Sequence, residues 1–345
     1  MRIWVQSLRV GVFVTVIASL WTVTASAQVS NASSPRTSWG QPDLQGVWDF
    51  RTITPLQRPE ALLDREFLTE EEAVTFAQTQ SQRLNRDLID SAEGGLNYAP
   101  EADGGVVPYN EFWYDRGTSV ISSRRTSLII DPPNGHLPPF TSEAQRAADR
   151  DRDMGREEQR GRPRADSHAA RDSGDRCIQH GKAGPPINPG AYNNNMQLFQ
   201  TPGYVAILNE QIHSVRLIPL ADQPHLAGRI RQWMGDSRGR WDGDTFVVET
   251  TNFNGRHAQV GRPSLSSSEH LSLVERFTRV DTETLVYEYT VTDPSIWTQP
   301  WTAQLPMQKN TAQIYEYACH EGNYSMATIL RGARLEELAT EAAGR

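Results

Sequence analysis

A histidine and a glutamate of this chain fall in phase with apolar neighbours, where polar side chains are costly. In "HSVRLIP" strand alternation puts Val215, Leu217 and Pro219 on one face, and His213 shares it. In "LSLVERFTRV" the phase of Leu271, Leu273 and Phe277 includes Glu275. Its neighbour "TLVYEYTV" groups Leu285, Tyr287, Tyr289 and Val291 into an aromatic wall, and "QIYEYACHE" aligns Tyr315, Tyr317 and Cys319 in a phase that reaches Glu321, beside His320. Burying an imidazole or a carboxylate disfavours its charged form, and a group so placed suits general acid–base work. The chemistry expected is elimination, isomerisation or hydrolysis of a small apolar or aromatic molecule, with no organic cofactor. His213, Glu275, His320 and Glu321 are the candidate catalytic residues, and Tyr287, Tyr289 and Tyr317 the candidate substrate contacts. The same residue types also build structure: a histidine satisfied in a core, or a glutamate paired with an arginine as a strut. Arg216 and Arg276 lie in the opposite phase and are expected to face outward.

A second chemistry is written in "GDSRG", Gly235 to Gly239, which fits the G-x-S-x-G pattern of serine hydrolases. A nucleophile elbow needs a strand, a strained turn and then a helix. Here "RIRQWM" offers a strand, but "RWDGDTFVVETTNF" follows, with an Asp-Gly turn and a β-branched run. That leaves no room for a helix. Ser237 is therefore expected in a glycine-rich hairpin connection, with Asp236 and Ser237 bonding the turn backbone. A serine hydrolase is the third reading, behind an acid–base enzyme and a carrier that performs no reaction.

Metal and nucleotide chemistry find little support. No H-E-x-x-H or C-x-x-C occurs, and no G-x-G-x-x-G follows a strand. Trp233, Trp241, Trp297 and Trp301 fall near expected strand ends, where aromatics either rim a pocket for a flat or sugar-like ligand or seal the ends of a barrel. Trp233, Trp241 and Trp301 are the candidate binding residues among them.

The elements that must position these groups read as mainly β. Short runs joined by polar turns extend from Thr201: "YVAILNE", "HSVRLIPL", "RIRQWM", "TFVVETTNF", "HLSLVERFTRV", "TLVYEYTV", "WTAQLPM" and "QIYEYAC". Two more lie earlier, at Val47 to Phe50 and at Thr126 to Ile130. Near-even spacing indicates an antiparallel meander closed or nearly closed into a barrel, with a two-layer sandwich as the alternative. One helix is expected near 69–92, opened by Thr69 with Glu72 three residues on. The stretch near 143–176 carries charges of both signs and almost no apolar side chains, so it reads as a helical or mobile insertion.

Residues 1–27 read as a cleaved signal peptide: Arg2 and Arg9, an apolar run, then "ASA" before Gln28. The remainder, 28–345, is expected to be one domain, periplasmic or secreted, with no stable membrane span after cleavage. The net charge of −8 argues against a nucleic-acid partner and says nothing positive about any other; the expected partner, a small-molecule ligand or substrate, rests on the polar groups read as facing the interior. Two cysteines, Cys177 and Cys319, are expected to pair in an oxidising compartment, with two unpaired buried thiols as the alternative.

The stretches "RTSLIIDPPNGHLPP", "GDSRGRWDGDTFVVETTNFNG", "ERFTRVDTETLVYEYTVTDPSIWTQPW" and "YEYACHEGNY" together resemble an uncharacterised family of exported β-rich bacterial proteins, over much of Arg125 to Tyr324. The resemblance implies secretion and a β-rich fold, distantly lipocalin- or calycin-like in architecture. It brings no catalytic residues.

Overall fold

A computed structural model describes residues 35–94, 110–159, 165–171, 173–180, 182–220, 222–256 and 267–343. The signal peptide expected at 1–27 lies outside the described residues.

Ten strands form one antiparallel sheet. In chain order they are β1 (Gly46–Asp49), β2 (Ile129–Asp131), β3 (Asn195–Gln200), β4 (Tyr204–Asn209) and β5 (Val215–Pro219). They continue with β6 (Asp236–Asp242), β7 (Thr245–Thr251), β8 (Ser272–Arg279), β9 (Thr284–Thr292) and β10 (Trp301–Asn310). The spatial order is β5-β4-β3-β1-β10-β9-β8-β7-β6, with β2 against β10. Strands β8 and β9 alternate strictly between buried and half-buried side chains, as expected of a sheet with one face on a core. Turn chemistry joins them. Gly243 takes a left-handed φ of +59° between β6 and β7, and the Asp281 carboxylate accepts from the Glu283 and Thr284 amides at 2.7 and 2.6 Å between β8 and β9.

The sheet curls until its first and last strands approach each other. A Cβ added at Gly239 on β6 would stand 3.0 Å from the Ile218 side chain on β5. No ladder pairs β5 with β6 among the described residues, so hydrogen bonding leaves the sheet open there. One aromatic file runs through the interior, Trp241–Phe246–Phe277–Tyr287–Tyr289–Trp301, with ring centroids 4.8 to 6.0 Å apart. At one end Arg279 lies 5.4 Å over the Trp48 ring and donates to the carbonyls of Asp43, Asp281 and Thr282. At the other end the loop 183–194 enters the sheet. Ile187 is fully buried, its amide donates to the Tyr287 hydroxyl at 3.0 Å, and the Tyr289 hydroxyl donates to Asn188 Oδ1 at 2.6 Å.

Three α-helices lie outside the sheet: α1 (Glu70–Leu84), α2 (Ser142–Gln159) and α3 (Ser325–Ala343). The expected capping box opens α1, with Thr69 and Glu72 bonded reciprocally. The helix stops at Leu84 because Asn85 turns extended and caps a short 3₁₀ turn, so it ends earlier than the expected 92. The charged insertion begins as α2. No described helix is long and apolar enough to cross a membrane.

Two expected strands are absent. "RIRQWM" is a turn region, and the stretch taken for a connection, "DSRGRWD", is itself β6. Its glycines explain the exchange. Gly235 turns with φ +67°, and any Cβ there would meet the Thr251 carbonyl oxygen at 2.5 Å. Gly239 leaves the space that the Phe246 ring fills. "QIYEYAC" forms no strand: β10, which it follows, already has β9 on one side and β1 with β2 on the other, so no edge of that strand is free for it. Strand β3 and helix α3 are elements the sequence reading missed.

Candidate functional site

The buried polar centre of the sheet is an ion pair. Glu275 on β8 is 0 % exposed and Arg216 on β5 is 5 % exposed. The guanidinium forks onto the carboxylate, Nη1 to Oε2 at 2.6 Å and Nη2 to Oε1 at 2.9 Å. The Tyr287 hydroxyl donates to Oε1 at 2.7 Å and accepts the Ile187 amide. Burial works against the charge on Arg216, but the adjoining carboxylate outweighs it and holds the guanidinium above its ordinary range. Burial, reinforced by Glu275, pushes the Tyr287 phenol well above 10, and burial pushes Tyr289 up against the opposing bond to Asn188. Both phenols are neutral donors at neutral pH.

Register explains how Arg216 reaches Glu275. Gly239, Val248, Glu275 and Tyr289 form one row across β6 to β9. The row begins at Gly239, over which the Phe246 ring and the Ile218 side chain of β5 close, and Arg216 shares the buried face of β5 with Ile218. This corrects the expected orientation. Arg216 and Ile218 face in, whereas Val215 and Leu217 are 53 % and 64 % exposed. On this strand charge complementarity with Glu275 decides the face, and the apolar residues pay with exposure.

The phase in which His213 was expected, that of Val215 and Leu217, is therefore the exposed one on β5. His213 closes a 3₁₀ turn, Gln211–His213, before β5 begins, and its side chain lies outside the described structure. Glu275, Tyr287 and Tyr289 are brought together; the other candidates are dispersed. Tyr317 is half-buried in the segment after β10, and His320 and Glu321 are exposed in a turn, since no strand carries them inward. Trp301 is fully buried and packs on Tyr289 and Trp297, so it seals an end of the sheet. Trp241 packs on Phe246, and Trp233 sits in the turn before β6 with the Arg176 guanidinium 5.9 Å over its ring. Ser237 lies within a strand, its hydroxyl 2.9 Å from that of Thr250, and a hairpin follows it instead of a helix. It lacks the setting of an elbow. Among the described residues no group of three His, Cys, Asp or Glu side chains is placed to hold a metal ion.

The expected disulfide is present. Cys177 and Cys319 are bonded across a separation of 142 residues, fastening the segment before the inserted loop to the segment after β10. Closing a loop of that length is worth about 5 kcal/mol in the chain-entropy model.

Two features were not found by sequence reasoning. Asn209 Oδ1, Arg216 Nε and Trp301 Nε1 are buried with no hydrogen-bond partner among the described residues. Arg216 faces Ile207 across the β4–β5 ladder, which makes Asn209 its diagonal neighbour on the inner face, roughly 7–8 Å away. The second feature is on the outer face of β6. Asp236, 6 % exposed, holds His225 Nδ1 at 3.0 Å and the Leu226 amide at 2.9 Å on Oδ2, and Arg238 Nη1 at 2.7 Å on Oδ1. His225 lies in an irregular stretch rich in prolines and glycines, so no periodicity could have flagged it. Comparison of the chain with family models, with curated proteins and with solved structures returns no match.

Proposed function

We propose that the chain is an exported, nearly closed β-barrel of the lipocalin-like kind that holds one small, mainly apolar or aromatic molecule bearing a hydroxyl. The observation that carries this reading is the pair of orphaned polar atoms on the inner wall. Among the described residues Arg216 Nε–H is a donor without an acceptor, and Asn209 Oδ1 is an acceptor without a donor. A buried polar group left unpaired costs about 1–3 kcal/mol. A hydroxyl both accepts and donates, so one such group placed between them satisfies both. Tyr287, Tyr289 and the fully buried rings beside them supply a flat apolar surround.

Binding is favoured over proton transfer at this place because Glu275 is fully engaged. Its oxygens already accept from two guanidinium nitrogens and one phenol. A general base needs a free lone pair within reach of its proton. Export is supported by the Arg-led apolar N-terminus and by a disulfide of the kind that persists in oxidising compartments.

The test uses 1-naphthol as the probe. Titrated into the disulfide-bonded chain, it is expected to quench tryptophan fluorescence saturably, and Asn209→Leu is expected to weaken binding about tenfold, the effect of losing one hydrogen bond of about 1.4 kcal/mol. Absence of saturable binding, or equal affinity in the folded Asn209→Leu protein, defeats the reading.

A further inference from the structure

We propose that His225, held by Asp236 and flanked by Arg238, forms a general-base site on the outer face of β6 that hydrolyses small esters. The proposal concerns a different face of the strand from the ligand site. Ser237 and Gly239 point inward, the first onto Thr250 and the second onto Phe246. Alternation sends Asp236 and Arg238 the other way.

Three observations point to a working base. The Asp236 carboxylate is buried and immobilised by three donors, His225, Leu226 and Arg238. A carboxylate only accepts, so His225 Nδ1 carries the proton of that bond. The imidazole lone pair then lies on Nε2, at the far end of a ring whose side chain is 27 % exposed. The ring that carries the base is thus partly open to solvent. Orientation of an imidazole by a carboxylate, with fixed tautomer and stabilisation of the imidazolium that forms, is how histidine bases are commonly positioned.

Arg238 supplies the remaining element. Its Nη1 binds the other oxygen of the same carboxylate, and its Nε and Nη2 bind the Pro224 carbonyl, one residue from His225. A cation is thus fixed beside the base, where it favours negative charge developing on a carbonyl oxygen. In the step proposed, Nε2 takes a proton from water as the water oxygen bonds the acyl carbon. The tetrahedral oxyanion collapses, the bond from carbon to the leaving oxygen breaks, and the imidazolium returns its proton to that oxygen. Ester and water become acid and alcohol, and His225 regains its starting form. Asp236 is a positioning residue throughout.

The experiment follows hydrolysis of p-nitrophenyl acetate by the full, disulfide-bonded chain. Wild-type protein is expected to exceed free imidazole at equal concentration. His225→Gln is expected to lose about 100-fold in rate, the lower range of general-base contributions, with unchanged circular dichroism and unchanged 1-naphthol binding. Imidazole added to His225→Ala is expected to restore part of the rate, a response that a purely structural tie between 225 and 236 would not give. Asp236→Asn is expected to lower kcat with little change in KM; if that variant does not fold, the two His225 variants decide. Ser237→Ala is expected to behave as wild type. Wild-type hydrolysis no faster than imidazole overturns the proposal, as does full activity in folded His225→Gln, or loss of activity in Ser237→Ala.

Discussion

Arg216→Met removes one member of the buried pair and leaves Glu275 with a single donor, the Tyr287 hydroxyl. Two charge-assisted hydrogen bonds of 2.6 and 2.9 Å vanish. At about 1.5–3 kcal/mol each they sum to roughly 3–6 kcal/mol. Breaking a buried ion pair on one side costs about 3–5 kcal/mol by independent measure, so a loss near 4 kcal/mol is expected. For a domain whose total stability is about 5–15 kcal/mol, that is a large fraction. Replacing both partners, Arg216→Met with Glu275→Leu, removes the stranded charge as well and is expected to recover most of the loss. Urea unfolding of the disulfide-bonded chain, followed by tryptophan fluorescence, gives the four corners of the cycle. The reasoning is refuted if Arg216→Met costs less than about 1 kcal/mol, the worth of an exposed pair. It is equally refuted if the double variant is no more stable than the sum of the single losses predicts.

Other perturbations bear on the same architecture. Gly239→Ala drives a methyl to 2.7 Å from the Phe246 ring and 3.0 Å from Ile218, and is expected to cost about 1–3 kcal/mol in urea unfolding, as overpacking does. Cys177→Ser with Cys319→Ser is expected to lower stability by about 2–5 kcal/mol, matching the loss on adding reductant to the wild type. Tyr287 and Tyr289 both have raised folded-state values, so their contribution is complete below the unfolded phenol value of about 10 and is lost as pH rises beyond it. Absorbance of phenolate is expected to show these two ionising only together with unfolding in alkali; earlier ionisation of either speaks against their burial. Thr69→Ala removes the side-chain half of the box at the start of α1 and is expected to cost about 0.5–2 kcal/mol.

Strands with strict alternation were legible, and those whose face is set by partners were not. β8 and β9 read correctly residue by residue because Leu273, Phe277, Leu285 and Tyr287 all obey one core. β5 read inverted, since "VRLIP" puts its apolar residues on one parity and Arg216 with Ile218 on the other, and the ion pair with Glu275, 59 residues on, turns the second face inward. "NMQLFQ" escaped notice as β3 because its buried residues, Met196, Leu198 and Gln200, include an amide. That amide is explained by long-range bonds to Leu44 and Pro42, which no local pattern carries. "YEYAC" failed in the opposite direction: its pattern is strand-like, yet β10, the strand it follows, is already paired on both sides. For the two cysteines compartment chemistry inclined the reading towards a disulfide without excluding two buried thiols; the structure shows the bond. The His225–Asp236 contact joins a loop to a strand end and leaves no periodic trace in either.

The first and last strands in chain order are neighbours in the middle of the sheet, β1 on β10 from Val47↔Asn310 to Asp49↔Gln308. A nascent chain can pair β1 with β3 as soon as residue 200 is made, but the other side of β1 stays unmatched until β10 follows, more than 250 residues after it. Any truncation before Trp301 strips a partner from β1, β2 and β9 at once and exposes bare backbone on all of them. Fragments of this protein should be sticky, and its assembly is a matter for the completed polypeptide.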